Sequence, residues 1–164
     1  MNDDSLIEVG ISNIKVGSGS NILHAILGSC VGIGFIWRKG GRCGLAHCLL
    51  PMAPGIVLQL GARYVNQAVP SLLALMGIRP HDFPDVEVVV AGGARMFSVR
   101  QNSANIGRQN TDKAIALLKE NGLAVLHTDI GGRHGRQISI DCTTQNFQIS
   151  RIAYQTEEFE HGTS

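Results

Sequence analysis

The chain has 164 residues with 14 basic and 13 acidic side chains, a net charge of +1. That fits one domain able to bury its own core and offers neither a basic nucleic-acid face nor a polybasic membrane patch. One Trp and two Tyr leave few rings on which single-stranded bases could stack. No apolar run reaches the roughly 18 residues of a spanning helix, and the acidic start MNDDSLIEVG has no charged segment followed by an apolar block. The expectation is a cytoplasmic protein with no nucleic-acid partner and no membrane insertion.

In chain order, short strands are expected in SLIEVG and SNIKVG, and SGSN reads as a turn. ILHAIL follows and leads into GSCVGIGFIW. There Val31, Ile33, Phe35 and Trp37 alternate with other residues, the period-two pattern of a strand. RKGGR is a turn signal, and CGLAHCLL returns as the partner strand, ended by Pro51 and Pro54. Ala62, Val65, Val69, Leu72 and Met76 recur at helical spacing and predict a helix over about 57–76, kinked or restarted at Pro70. DVEVVV predicts a buried strand that runs into the loop AGGARMF. NTDKAIALLKENG predicts a second helix, capped by Asn110 or Thr111 and stopped at Asn121-Gly122. LAVLHTD predicts a further strand before the loop IGGRHGR, and QISIDC with FQISRI predicts a hairpin around TTQN. The pattern predicts an α/β fold with mixed or largely antiparallel sheets and two main helices. One domain is expected over 1–164, with a core of about 6–152 and a polar tail, QTEEFEHGTS, over about 155–164.

The four cysteines, Cys30, Cys43, Cys48 and Cys142, include no Cys-x-x-Cys pair. Without an export signal they are expected to stay reduced, and a zinc ribbon or dithiol redox motif is not expected. If Lys39-Gly40 is a two-residue turn, Arg38 pairs with Gly41 and the continued register sets His47 opposite Gly32. Cys30 then sits one diagonal step from His47 on the same face, whereas a loop that makes opposed numbers sum to 77 would set it directly opposite. Such neighbours have Cβ atoms roughly 4.5–8 Å apart, within reach of a thiol–imidazole contact. Gly32 and Gly34 share that face and are expected to leave it sparsely filled. Val31, Ile33, Phe35 and Trp37 form the opposite, core face.

A free thiol, with a pKa near 8.5, is mostly protonated at neutral pH, and a neighbouring imidazole can take its proton and lower that value. The thiolate attacks an acyl carbon and the imidazolium protonates the leaving group. The Gly28-Ser29-Cys30 turn could aim N–H groups at the oxyanion, and a third group would orient the ring. The same residues admit plainer readings. Cys30 could be a small buried hydrophobe and His47 a satisfied core histidine. A metal could use Cys43, His47 and Cys48, or Cys30, His24 and His47, although adjacent His47 and Cys48 point to opposite faces of a strand. Gly92, Gly93 and Gly107 suit a cleft lining or plain turns alike. Asn105 is a further candidate for the cleft, and it and Asn110 read as loop hydrogen-bonders. Asp129 with Gly131 and Gly132 reads as a turn brace ahead of a metal ligand, and Arg133 and Arg136 as solvated or facing an acidic partner.

Five blocks in order, LGSCVGIGF, GLAHCLLP, VVVAGGARMF, NIGRQN and TDIGGRHGR, resemble the CheD family of chemoreceptor glutamine deamidases over about residues 6–152. The resemblance implies a layered α/β sandwich and a cysteine-dependent amidohydrolase, a protein-glutamine glutaminase. Such an enzyme converts selected glutamine side chains on the cytoplasmic helices of methyl-accepting chemotaxis receptors to glutamate, releasing ammonia through a thioester. It also implies Cys30 as nucleophile, His47 as general base, and neither metal nor cofactor. The family's third member is a threonine six residues before the cysteine, where this chain has His24. Implied partners are the receptors and a CheC-type phosphatase. One rival expectation, favoured by the departure at His24, is a non-catalytic adaptor of the same fold that binds receptor or phosphatase. Another is a Cys–His hydrolase of other amides.

Overall fold

The computed structural model describes residues 5–95 and 101–152. The elements are β1 (Leu6–Glu8), β2 (Ile14–Gly17), β3 (Ile22–Leu27), β4 (Val31–Trp37), β5 (Arg42–Cys48), α1 (Val65–Met76), a 3-10 turn (Pro80–Asp85), β6 (Val86–Gly92), α2 (Gln101–Glu120), β7 (Val125–Ile130), β8 (Gly135–Asp141) and β9 (Asn146–Ile152). They build a five-stranded sheet, β2-β5-β4-β6-β7, and a four-stranded sheet, β1-β3-β8-β9. The β1–β3 and β6–β7 pairs are parallel and the other pairs antiparallel. This is the expected α/β fold with mixed, largely antiparallel sheets and two main helices. The expected polar tail lies outside the described residues.

Three layers result. Val31, Ile33, Phe35, Ala46 and Cys48 point from the five-stranded sheet into a core shared with Val65, Val69, Leu72 and Met76 of α1 and Ala114 and Leu118 of α2. The other face of that sheet carries Ile36, Cys43, Leu45, Val89 and Ala91, which pack against Leu23, Ala25, Leu27, Ile138 and Ile140 of the four-stranded sheet. Each such fully buried aliphatic or aromatic side chain contributes about 1.5–3 kcal/mol relative to exposure. Exposed ion pairs such as Arg38–Glu87 at 3.0 Å contribute ~0–1 kcal/mol, so the two cores dominate.

The glycine face of β4 is therefore not sparsely filled, contrary to the sequence expectation. A Cβ on Gly34 would lie 2.7 Å from Ile140 Cδ1, and one on Gly32 would lie 2.9 Å from Leu27 Cδ1. The glycines exist so that the second sheet can approach closely.

Both helices start elsewhere than periodicity suggests. α1 begins at Val65, not near 57, because Ile56, Leu58 and Leu60 face solvent. The chain before α1 is instead tied to the end of β5: Leu49 and Leu50 N–H donate to the Arg63 carbonyl at 3.1 and 2.9 Å. Pro70 is accommodated within this one helix. The left-handed Gly77 (φ 72°) closes it, with Ile78 N–H reaching back to Leu73 O at 2.9 Å. α2 is already helical at Gln101, which places Asn110 and Thr111 inside the helix rather than at its cap. Both are buried on the stripe that continues through Ala114 and Leu118. No helix among the described residues is long and apolar enough to cross a membrane.

Candidate active site

The β4–β5 register pairs Val31 with Cys48 and Gly32 with His47. Cys30 immediately precedes β4, one diagonal step from His47, as the turn arithmetic anticipates. Cys30 and Val9 belong to the core between the two sheets. His47 is buried beside Val9 and bonds to its backbone. Cys48 belongs to the core under the helices. Neighbouring His47 and Cys48 thus face opposite layers.

The chain around His47 is held from several directions. Its N–H donates to Asn13 O at 2.9 Å, and its carbonyl accepts from Ser12 N–H at 2.8 Å. Nδ1 donates to the Val9 carbonyl at 2.9 Å. A carbonyl can only accept, so this contact requires the proton on Nδ1 and leaves the lone pair on Nε2. Among the described residues Nε2 is buried and has no hydrogen-bond partner, Cys30 included. Burial pulls the imidazole below its ordinary pKa, against the opposing Val9 hydrogen bond and the charge of Glu8. Burial likewise pushes the Cys30 thiol up. The expectation of a thiol lowered by its neighbour does not hold for this state, in which a neutral thiol sits near a neutral imidazole.

The Gly28-Ser29-Cys30 turn is fixed through its carbonyls. Ala94 N–H donates to Gly28 O at 2.9 Å, and Gly93 N–H donates to Cys30 O at 2.8 Å. Asn110 Nδ2 donates to Ser29 O at 3.0 Å and to Leu49 O at 3.1 Å. One buried side chain of α2 thereby joins the cysteine turn to the strand end that follows His47. Gly92 lies against the same turn with φ of 106°, and a Cβ there would collide with Cys30 O, so only glycine fits.

The remaining expected residues divide. Gly93 and Asn105 line a cavity of about 450 Å³ beside the turn. Gly107 is a contact point, because a Cβ on it would lie 2.6 Å from Gly93 O; it lets α2 rest on that loop. His24 does not join Cys30 and His47. Leu23, Ala25 and Leu27 of β3 point into the inter-sheet core, so His24 projects from the outer face. There it meets Glu8 at 2.8 Å and Gln137 Oε1 at 3.0 Å. Burial lowers its pKa, but the Gln137 and Glu8 contacts outweigh this and leave it raised. Arg136 is neither solvated nor turned to a partner. Its side chain is 2% exposed and donates to Asp129 Oδ1 at 2.9 Å, so Asp129 braces the loop as expected. Met96 and Phe97 of AGGARMF lie outside the described residues.

Sequence reasoning missed one contributor by residue and found another. Val9 acts through its backbone and has no residue-type signal. Asn110, expected as a loop hydrogen-bonder, is one, although it holds the Ser29 and Leu49 carbonyls from mid-helix and not from a cap. Of the other thiols, Cys43 is pushed up by neighbouring Cys142 and by burial, and Cys48 is pushed up by burial and by Cys30.

Comparison with known proteins adds an independent line. The sequence model of the CheD family, described as CheD chemotactic sensory transduction, matches residues 49–151. A Ruegeria protein named "Probable chemoreceptor glutamine deamidase CheD 2" is 37% identical over 90% of this chain and 93% of its own. Proteins named "Probable chemoreceptor glutamine deamidase CheD" from Bdellovibrio bacteriovorus and Haloarcula marismortui are 35% and 32% identical, over 80% and 87% of this chain and 86% and 83% of theirs.

Proposed function

The chain belongs to the CheD family, and from that premise we propose that it deamidates selected glutamine side chains of chemoreceptors, with Cys30 as nucleophile and His47 as base. The observation that carries this reading is the state of His47. Its Nδ1 is anchored to a backbone carbonyl, and its Nε2 is buried, unprotonated and, among the described residues, without a partner, one diagonal step from Cys30. A histidine serving only as core filler would leave that acceptor unpaired at a cost of about 1–3 kcal/mol. A thiol proton or a leaving amine satisfies it.

In this reading His47 Nε2 takes the Cys30 proton as sulfur attacks the carboxamide carbon. The carbon–nitrogen bond then breaks, and His47 returns the proton to the departing nitrogen, giving ammonia and a thioester. Water, deprotonated by His47, hydrolyses the thioester to glutamate and restores the thiol. Base assistance of this kind is worth about 10²–10⁴-fold. The clamped Gly28-Ser29-Cys30 turn supplies N–H groups for the oxyanion. The Val9 carbonyl orients the ring, a task for which His24 on the outer sheet face is not placed. The thiol forms its thiolate only in the encounter with substrate, which suits a buried group raised by desolvation.

A protein substrate fits the surroundings. The segment after β5 exposes Met52, Ile56, Leu58 and Leu60, with Ile56 91% and Leu58 89% exposed. Four large apolar side chains exposed within nine residues offer a protein partner something to cover. A CheC-type phosphatase, as a second partner competing for that surface, is part of the same proposal.

The test is incubation with a purified chemoreceptor cytoplasmic fragment, following ammonia release and glutamine-to-glutamate conversion by mass spectrometry. The unaltered protein converts the fragment, and Cys30→Ala and His47→Ala do not. Conversion that survives Cys30→Ala would overturn the mechanism. Binding without conversion by the unaltered protein would leave the adaptor reading.

A further inference from the structure

The cavity beside the cysteine turn carries an unbalanced charge. It is lined by Gly93, Arg95, Arg108, Thr111, Asp112 and Arg133, among others. Among the described residues three arginines line it against one acid, and that acid, Asp112, lies 3.6 Å from Arg108 as its i,i+4 neighbour. The whole chain carries a net charge of only +1, so the excess is local.

The three arginines come from separate elements that the backbone ties together. Arg95 N–H donates to Gly132 O at 2.8 Å, joining the loop after β6 to the loop after β7. Gly131 N–H donates to Gly92 O at 3.0 Å. Gly107, one residue before Arg108, packs on Gly93 and Ala94. The same loop reaches the nucleophile turn, since Gly93 N–H holds Cys30 O. The cavity wall is thus one hydrogen bond from the Cys30 backbone. Arg136 takes no part in the excess, because Asp129 neutralises it.

We propose that this cavity binds a carboxylate side chain of the substrate beside the glutamine presented to Cys30, so that the enzyme selects glutamines flanked by acidic residues. The inference rests on the deamidase reading and adds its specificity. Guanidinium groups pair with carboxylates through paired N–H donors, and converging positive charge also speeds encounter with an acidic surface.

Two chemoreceptor fragments test it, one with glutamates three and four residues either side of the target glutamine and one with alanines there. Ammonia release and fluorescence-anisotropy binding are measured for both. The unaltered protein favours the acidic fragment, and the preference shrinks as salt rises. Arg95→Ala, Arg108→Ala and Arg133→Ala each lower kcat/KM on the acidic fragment by roughly two- to fivefold and lower it less on the alanine fragment, so the preference shrinks. Arg79→Ala, at an exposed arginine outside the cavity lining, keeps the preference. Equal kcat/KM for the two fragments, or a full preference in the triple arginine variant, would overturn the proposal. If neither fragment is deamidated, the deamidase reading fails, and the cavity is judged on binding alone: equal affinities for the two fragments overturn it, and an arginine-dependent preference upholds it.

Discussion

The Val9 carbonyl and the His47 ring meet at 2.9 Å, and that single contact determines which imidazole nitrogen can act as a base. With Nδ1 protonated, Nε2 is the acceptor. The prediction is spectroscopic. At pH 7, nitrogen-15 shifts of His47 show a protonated, pyrrole-type Nδ1 and an unprotonated, pyridine-type Nε2. The reverse tautomer would contradict the site geometry, because the Val9 oxygen would then face a lone pair.

The pH response follows from two opposite displacements. Burial raises Cys30 and lowers His47. Alkylation of Cys30 by iodoacetamide therefore keeps rising with pH beyond the value of about 8.5 typical of a free thiol. The acid limb of kcat/KM falls below the ordinary imidazole value of about 6.5, since His47 protonates only there. A plateau of alkylation at pH 7 or lower would instead reveal a preformed thiolate–imidazolium pair.

Asn110 holds two carbonyls, Ser29 and Leu49, with one amide nitrogen. Asn110→Ala removes both bonds, and leaving buried acceptors unpaired costs about 1–3 kcal/mol. Denaturant unfolding reads that loss. The same variant lowers kcat more than it raises KM, because the cysteine turn loses its tie to the strand end after His47. Asn110→Asp keeps the shape but removes the donor, so it reproduces the kcat defect. An Asn110→Asp protein with unchanged kcat would show that the contact is scaffolding alone.

These residues show where the sequence is readable. The β4–β5 register follows from one turn, RKGGR, since a hairpin's parity is fixed once its loop is placed. It brings Gly32 opposite His47 without any tertiary information. What surrounds the strand does not follow. The face of Gly32 and Gly34 reads as empty locally, and only the arrival of β3 and β8 fills it. His24 stands six residues before Cys30, yet its side of β3 depends on which face the second sheet turns inward. Local signals start the second helix too late, at Asn110, because Asn is a good cap, whereas here a tertiary demand from two loop carbonyls places it mid-helix.

The glycine face gives a stability prediction. Gly34→Val would press against Ile140 and Val89, whose atoms already lie 2.7 and 2.9 Å from a simple Cβ. Overpacking of this kind costs typically about 1–3 kcal/mol, read as a lower denaturation midpoint. Gly41→Ala is the comparison, because nothing lies within 4 Å of its added carbon, although its φ of 67° adds backbone strain alone. A Gly34→Val protein as stable as the parent would mean that the two sheets do not interlock as described.

His24 supplies a test that separates structure from catalysis. It sits on the outer face of the four-stranded sheet between Glu8 and Gln137, so His24→Thr leaves ammonia release unchanged. Its contribution is to stability, and it depends on pH. The folded pKa is raised, so the folded state holds the proton more tightly than the unfolded chain does. The resulting stabilisation is fully present below the unfolded value of about 6.5 and disappears as pH rises through the higher folded value. With Glu8 57% exposed, the pair is worth less than about 1 kcal/mol. Unfolding curves of parent and variant therefore differ more at pH 5.5 than at pH 9. A large loss of turnover in His24→Thr, with stability intact, would instead put this residue in the reaction.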